Sequence, residues 1–300
     1  MSAWHYIVFV GVMFGTGALI TEWILDRGGD PLALTAVAFI STAVVAVVIR
    51  KRFTDPGPGG WRTGILLGML NASGPAILFN LGFDELPASV NTLLISLGPV
   101  FTAITAHFIA AGDRFNAKKA VGLLVSLIGV AVLASGPSAD GPGSGSLRGF
   151  LFTFAGAALQ GISLVWVKRM VERYRAQTSL APMMVGAAVL ALIVAILAGH
   201  PPAPSAFPLS HWVIIVTMGA TGVVTFFALL KANELAPASQ AALIGYIVPL
   251  VGVGGGVLLM GEPMTASLLI GGVMVVAGVV LVGRNSGSPV EVGGYPHPPP

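Results

Sequence analysis

Cysteine is absent from the 300-residue chain, which excludes a disulfide framework, thiolate zinc sites and any thiol nucleophile. Charge is scarce as well: 9% of residues are Asp, Glu, Lys or Arg, against about 25% in a soluble domain. So few charges cannot cover a water-facing surface. No Gly-rich loop ends in Gly-Lys-Ser or Gly-Lys-Thr, so a phosphate cradle for nucleotide hydrolysis is missing. The five histidines are scattered, with neither a Ser-His-Asp order nor metal-ligand spacing, and no catalytic residue, metal or cofactor is expected. None of the twelve carboxylates falls near the centre of an apolar run. Paired central Arg or Lys residues are also missing, which disfavours a strongly anionic solute such as a sugar phosphate.

What the chain has is apolar length: 55% hydrophobic residues and a mean hydropathy of +0.89. A helix needs roughly 20 apolar residues to cross about 30 Å of hydrocarbon. Ten windows qualify, at 4–24, 31–50, 61–83, 86–108, 116–135, 147–169, 179–198, 211–232, 237–260 and 264–284. The fold expected is an all-α membrane protein of ten transmembrane helices. With the N-terminus inside, thirteen Lys and Arg residues fall in cytoplasmic connections and only Arg27 and Arg148 outside, so both termini are expected in the cytoplasm. That distribution explains the formal charge of +3 without nucleic acid as a partner. Trp4, Trp23, Trp61, Trp166 and Trp212 all lie near span ends, as an interfacial belt requires. The first span carries no cleavage signal and reads as retained. Residues 286–300, rich in Pro and Gly, are expected to be disordered.

The organising feature is a repeat. Leu86-Pro87-Ala88-Ser89, followed by an inner proline at Pro99, returns 150 positions later as Ala236-Pro237-Ala238-Ser239 and Pro249. A slip of one residue then matches Gly112-Asp113 to Gly261-Glu262, Gly122 to Gly271 and Gly129 to Gly278. Two five-helix units are expected, at 1–140 and 141–285. Because five is odd, the second unit enters the membrane from the opposite side, giving an inverted repeat. Each inner proline removes a backbone hydrogen bond and is expected to free a carbonyl four residues earlier, at Ile95 and Gly245; Pro75 does the same to Asn71.

These two blocks, each with a Pro-Ala-Ser start, an inner proline, a Gly-Asp or Gly-Glu turn and a Gly-rich last helix, resemble the EamA-type repeat of the drug/metabolite transporter superfamily. The resemblance covers nearly the whole chain. It implies a bacterial inner-membrane carrier, often an exporter of amino acids or related metabolites, with a central cavity between the halves.

At about 1.5 Å per residue, Ser96, Pro99, Tyr246 and Pro249 lie near the bilayer centre. Asn71, Thr92, Ser96, Gln160 and Tyr246 are the candidate substrate contacts, with Phe14, Phe79 and Trp166 as candidate aromatic walls. Intrahelical bonding of the hydroxyls, and packing by the aromatic rings, are the competing roles. Pro75, Pro99 and Pro249 are the candidate helix breaks. Glu22, near the outer boundary of the first span, is the candidate gate or proton-coupling residue, with interfacial anchoring as its alternative. The expected function is a secondary, alternating-access exporter of a small neutral or zwitterionic metabolite such as an amino acid. Its partners are that solute, the bilayer and protons as candidate coupling ion, the protein being a monomer or homodimer. The alternative is a non-transporting partner or lipid-handling subunit that keeps the fold.

Overall fold

The computed structural model describes residues 3–50, 55–109, 117–134, 146–235 and 244–284. All regular elements among the described residues are helical: α1 (Ala3–Leu25), α2 (Pro31–Arg50), α3 (Gly57–Leu67), α4 (Gly74–Phe83), α5 (Ala88–Ile95), α6 (Gly98–Ile109), α7 (Ala117–Ala134), α8 (Leu147–Leu197), α9 (Leu209–Leu235), α10 (Ile244–Leu259) and α11 (Ala266–Arg284). A π turn at Gly68–Ser73 joins α3 to α4, and a 3-10 turn at Pro204–Ala206 precedes α9.

Among the described residues six stretches are long and apolar enough to cross a bilayer, and α7, α10 and α11 contribute shorter apolar runs. Large apolar side chains such as Val48, Leu124, Leu250 and Leu258 stand exposed on the helix exteriors. Water would oppose that surface; hydrocarbon matches it, and helices are suited to hydrocarbon because their backbone groups bond internally. The chain is a multi-pass membrane protein. All ten predicted windows overlap these helices, with 147–169 and 179–198 falling together on α8.

The turn after α1 shows how tightly one connection is built. Asp30 caps α2 by accepting from the N–H groups of Leu32 (3.0 Å) and Ala33 (2.7 Å), and Pro31 occupies the first helical position, where its missing N–H is not needed.

A connection predicted over 170–178 is instead a single-residue break. Arg175 adopts φ 63° and ψ 156° inside the 51-residue α8. Before it, Gly149 meets Leu86, Gly156 meets Phe79 and Leu159 meets Gly74, so this half runs antiparallel to α4. After it, Pro182 meets Gly64 and Ala187 meets Gly68, so the second half runs parallel to α3. The chain therefore reverses at Arg175. Glu234 of α9 holds the reversal, accepting from the Ala176 N–H and from Lys231 Nζ, each at 3.0 Å. Glu234→Ala strands that N–H and the Lys231 ammonium, which is only 14% exposed. The expected loss is about 1–3 kcal/mol, read from thermal melting in detergent.

The Gly-rich helices α7 and α11 pack backbone to backbone. Gly129 lies against Gly271, and Gly278 against the carbonyl of Gly122 and the side chain of Ser126. One number rises as the other falls, so the helices are antiparallel. Small residues permit this approach, which supplies dispersion contacts where no hydrophobic effect separates helix from lipid. Exchanging Gly122 for Gly271 and Gly129 for Gly278, the matched positions of the sequence repeat, maps the contact onto itself.

Pro99 is placed differently from expectation. Pro99 does not lie within a continuous helix: α5 stops at Ile95, Ser96 and Leu97 turn, and Pro99 is the second residue of α6. Pro75 lies within the continuous helical stretch Gly57–Phe83, just after a π turn in which the Gly74 N–H reaches Met69 O. At Pro99 the proline falls in the first turn of α6 and leaves no intrahelical bond unmade, so restarting the helix there avoids the roughly 3 kcal/mol of an interior proline. Pro249 does lie inside α10.

Candidate functional site

The interrupted α5–α6 segment and α10 cross in direct contact. A methyl group added at Gly245 would stand 2.9 Å from Pro99 Cγ and 3.5 Å from its Cδ, with Ser96 O at 4.0 Å. Two turns further along α10, Gly252 faces the hydroxyl and methyl of Thr92. The two proline-bearing segments thus meet through glycines that leave room for nothing else.

The hydroxyls at this crossing are turned inward. Thr92 Oγ1 donates to Ala88 O at 2.7 Å and Ser96 Oγ to Leu93 O at 2.6 Å, and both side chains are fully buried. Each hydroxyl satisfies its own helix in this conformation, and Ser96 caps the end of the helix that Pro99 interrupts.

A second polar group lies between the π turn and α8. Asn71 Nδ2 donates to Gln160 O and to Ser163 Oγ, each at 3.0 Å, and Ser163 Oγ in turn reaches Leu159 O at 2.7 Å. Widening the helix to a π turn rotates Asn71 towards α8; buried amides that bridge helices are worth about 0.6–2 kcal/mol in a bilayer. The backbone of Gln160 takes part, but its side-chain amide makes no hydrogen bond among the described residues. That amide is half-buried, with Oε1 beside Gly98 at the start of α6. An amide with four hydrogen-bonding positions at this depth needs water or a solute.

The other named residues fall elsewhere. Phe14 packs edge-on against Phe226 of α9, with ring centres 5.8 Å apart. Phe79 is buried against Gly156 and offers its backbone carbonyl to Asn91 Nδ2 at 3.0 Å. Trp166 is 40% exposed on the exterior of α8. The side chain of Tyr246 lies outside the described residues.

Glu22 is not at the surface, where interfacial anchoring would place it; it is 6% exposed. Its Oε1 accepts the Ala88 N–H of α5 at 2.9 Å. Glu262, in the link between α10 and α11, accepts the next donor, the Ser89 N–H, on both oxygens at 3.3 Å. The sequence points to Glu262 only as the repeat mate of Asp113, and it gives no local sign that two carboxylates 240 positions apart share one helix start. Asn91 and Ser163 are also invisible as site residues, because a lone Asn or Ser in an apolar run carries no pattern.

An interrupted segment that meets a proline-bearing helix inside a multi-pass apolar bundle points to a membrane protein of the transporter type. The chain belongs to the EamA-like transporter family, whose model matches residues 1–135 and again 147–284. It is 29% identical over 251 residues to the uncharacterized transporter YdfC of Bacillus subtilis, covering 83% of this chain and 80% of that one. It is also 29% identical over 224 residues to a protein of Streptantibioticus cattleyicolor named as a probable terminal-alkyne amino-acid exporter, covering 74% and 72%. A solved crystal structure matches with a TM-score of 0.63 at 20% identity over 92% of this chain and 94% of that one, a likeness of fold alone.

Proposed function

We propose that this protein is a secondary carrier of the plasma membrane that exports a small neutral or zwitterionic metabolite, an amino acid or a close relative, by alternating access. The observation that carries the substrate reading is the unpartnered Gln160 amide at mid-depth, beside the start of α6 and the Asn71–Ser163 bridge. It offers donors and an acceptor without net charge, which suits an amide, carboxylate-ammonium pair or hydroxyl and not a phosphate. The relative named as a probable terminal-alkyne amino-acid exporter is in keeping with this choice.

The architecture we infer is ten spans in two inverted five-helix repeats, 1–140 and 141–285, with both termini cytoplasmic. The antiparallel α7–α11 contact, symmetric under exchange of the matched glycines, supports the inversion. So does the placement of the ion pairs. His200–Asp30 and Arg148–Glu85 join connections assigned to the outer side, whereas Glu234 and its partners join connections assigned to the inner side. In the second state Tyr246, Thr92 and Ser96 complete the solute site, α5 and α10 separating enough to release the two hydroxyls.

Gln160→Leu tests the substrate assignment. Loss of one hydrogen-bonded contact, about 1.4 kcal/mol, raises the half-saturating solute concentration about tenfold while the melting temperature holds. Transport kinetics in proteoliposomes, with melting measured on the same preparation, give the answer; unchanged half-saturation removes Gln160 from the site.

A further inference from the structure

Glu22 and Glu262 present a chemical problem that the transport site does not use. Their carboxyl groups converge on the start of α5, bonded to the adjacent N–H groups of Ala88 and Ser89. Glu22 Oε2 is fully buried and receives no N–H or O–H donor from the protein. No Lys or Arg among the described residues pairs with either carboxylate. Other charges at this end give no relief: Asp26, one turn along α1, adds a like charge, and Glu85 is engaged by Arg148 and Ser146. Asp84 stands beside Glu85 in the same turn, and His211 of α9 packs on the Trp23 ring. Two ionised carboxylates this close in a buried setting repel strongly, and such pairs hold one proton between them.

We propose that Glu22 and Glu262 form a proton-binding site that clasps α1, α5 and the α10–α11 link together, closing the outer end of the protein when the shared proton is bound and releasing it when the proton leaves. The proton supplies the donor that Glu22 Oε2 lacks, one carboxylic O–H bonding to the other group's carboxylate. The remaining negative charge is held by the α5 N-terminus, with its N–H donors and positive dipole end. Burial pushes the Glu262 carboxyl up from its ordinary range, so protonation favours the closed form and rising pH weakens it. The outer sidedness rests on the topology proposed above; the clasp itself does not.

The cysteine-free chain makes the test direct. Ala18, buried one turn below Glu22 on the same face of α1, is replaced by Cys in the full-length purified protein in detergent. Its rate of maleimide labelling is taken relative to that of Ser205→Cys, an exposed position, which cancels the pH dependence of the reagent. The relative rate is expected to rise at least about tenfold between pH 5 and pH 8.5. In Glu22→Gln and in Glu262→Gln, which keep an oxygen for the α5 N–H groups, it is expected to vary less than about twofold, with melting temperature confirming the fold. A flat response in the unsubstituted background, or a pH response that persists in either Gln variant, overturns the clasp. No solute or sidedness enters this readout, so it stands or falls apart from the transport reading. Labelling with an impermeant reagent in sealed right-side-out vesicles then tests the outer placement.

Discussion

Gly271→Leu is expected to abolish the folded state, and Gly271→Ala to weaken it measurably. A Cβ at Gly271 would lie 2.8 Å from the carbonyl oxygen of Gly129 and 3.0 Å from the backbone nitrogen of Leu133. Those neighbours are backbone of a packed helix and cannot rotate aside, as the tip of a flexible side chain does. The helices must therefore part, and α7 loses its contact with α11 along its length. Overpacking costs about 1–3 kcal/mol where side chains can yield. Here the loss exceeds about 3 kcal/mol, a large share of the 5–15 kcal/mol that typically holds a protein together. The melting temperature in detergent should fall in the order Ala, Val, Leu, with no cooperative transition for Leu. A Leu variant that melts like the parent would show that the two helices do not touch here.

Gly245→Val is the second large effect, and it falls on transport. The contact it disturbs is between α10 and the ring of Pro99, again a group that cannot bend away. Unlike Gly271, this position lies where α10 meets the interruption between α5 and α6, so the chain can shift locally while the α7–α11 packing is kept. A penalty of about 1–3 kcal/mol on one of two states converts to a change of about 5- to 150-fold in their ratio. Transport rate is expected to fall within that range with less than half of the melting shift caused by Gly271→Val. A Gly245→Val protein that transports normally would mean that the crossing keeps its geometry throughout the cycle, or takes no part in it.

These two glycines also show what could be read from the sequence and what could not. Gly271 was legible as the repeat mate of Gly122, and the antiparallel contact follows once the second half is inverted. Membrane class and helix positions were legible because lipid imposes length and apolarity on every span. The location of Pro99 was legible, but not its consequence: a helix can kink around a proline or stop and restart before it, and tertiary contacts choose between them. The reversal between the windows 147–169 and 179–198 was legible, but not that Arg175 alone makes it, because a basic residue among Lys168, Arg169 and Arg173 reads as part of an ordinary cytoplasmic connection. Thr92 and Ser96 were legible as hydroxyls close to the inner proline, whereas their bonding to Ala88 and Leu93 is a rotamer choice that spacing does not encode. The carboxyl pair lay furthest out of reach. Glu22 and Glu262 come together only because α1, α5 and the α10–α11 link converge, and convergence of segments distant in sequence belongs to the fold.

The convergence also bears on mechanism. If the two proposed inverted repeats move against each other, the contacts broken first would include those of Glu22 and Glu262 with the start of α5. α5 carries Thr92, is capped by Ser96 and leads into Pro99, so the proposed proton at its N-terminus and the proposed solute at its C-terminal break would act on the same short helix. Coupling between them would then require only that α5 move as a unit, which its short length of eight residues, six of them buried, favours.

Solute counterflow in proteoliposomes tests the carrier reading most directly. Vesicles containing the purified protein are loaded with each of a panel of unlabelled neutral and zwitterionic amino acids, bases and cationic drugs, then diluted into a trace of the labelled compound. Transient, saturable accumulation of at least one neutral or zwitterionic solute is the predicted result, weakened about tenfold at low solute by Gln160→Leu. No accumulation above protein-free vesicles for any member of the panel, from protein that melts cooperatively, would contradict it.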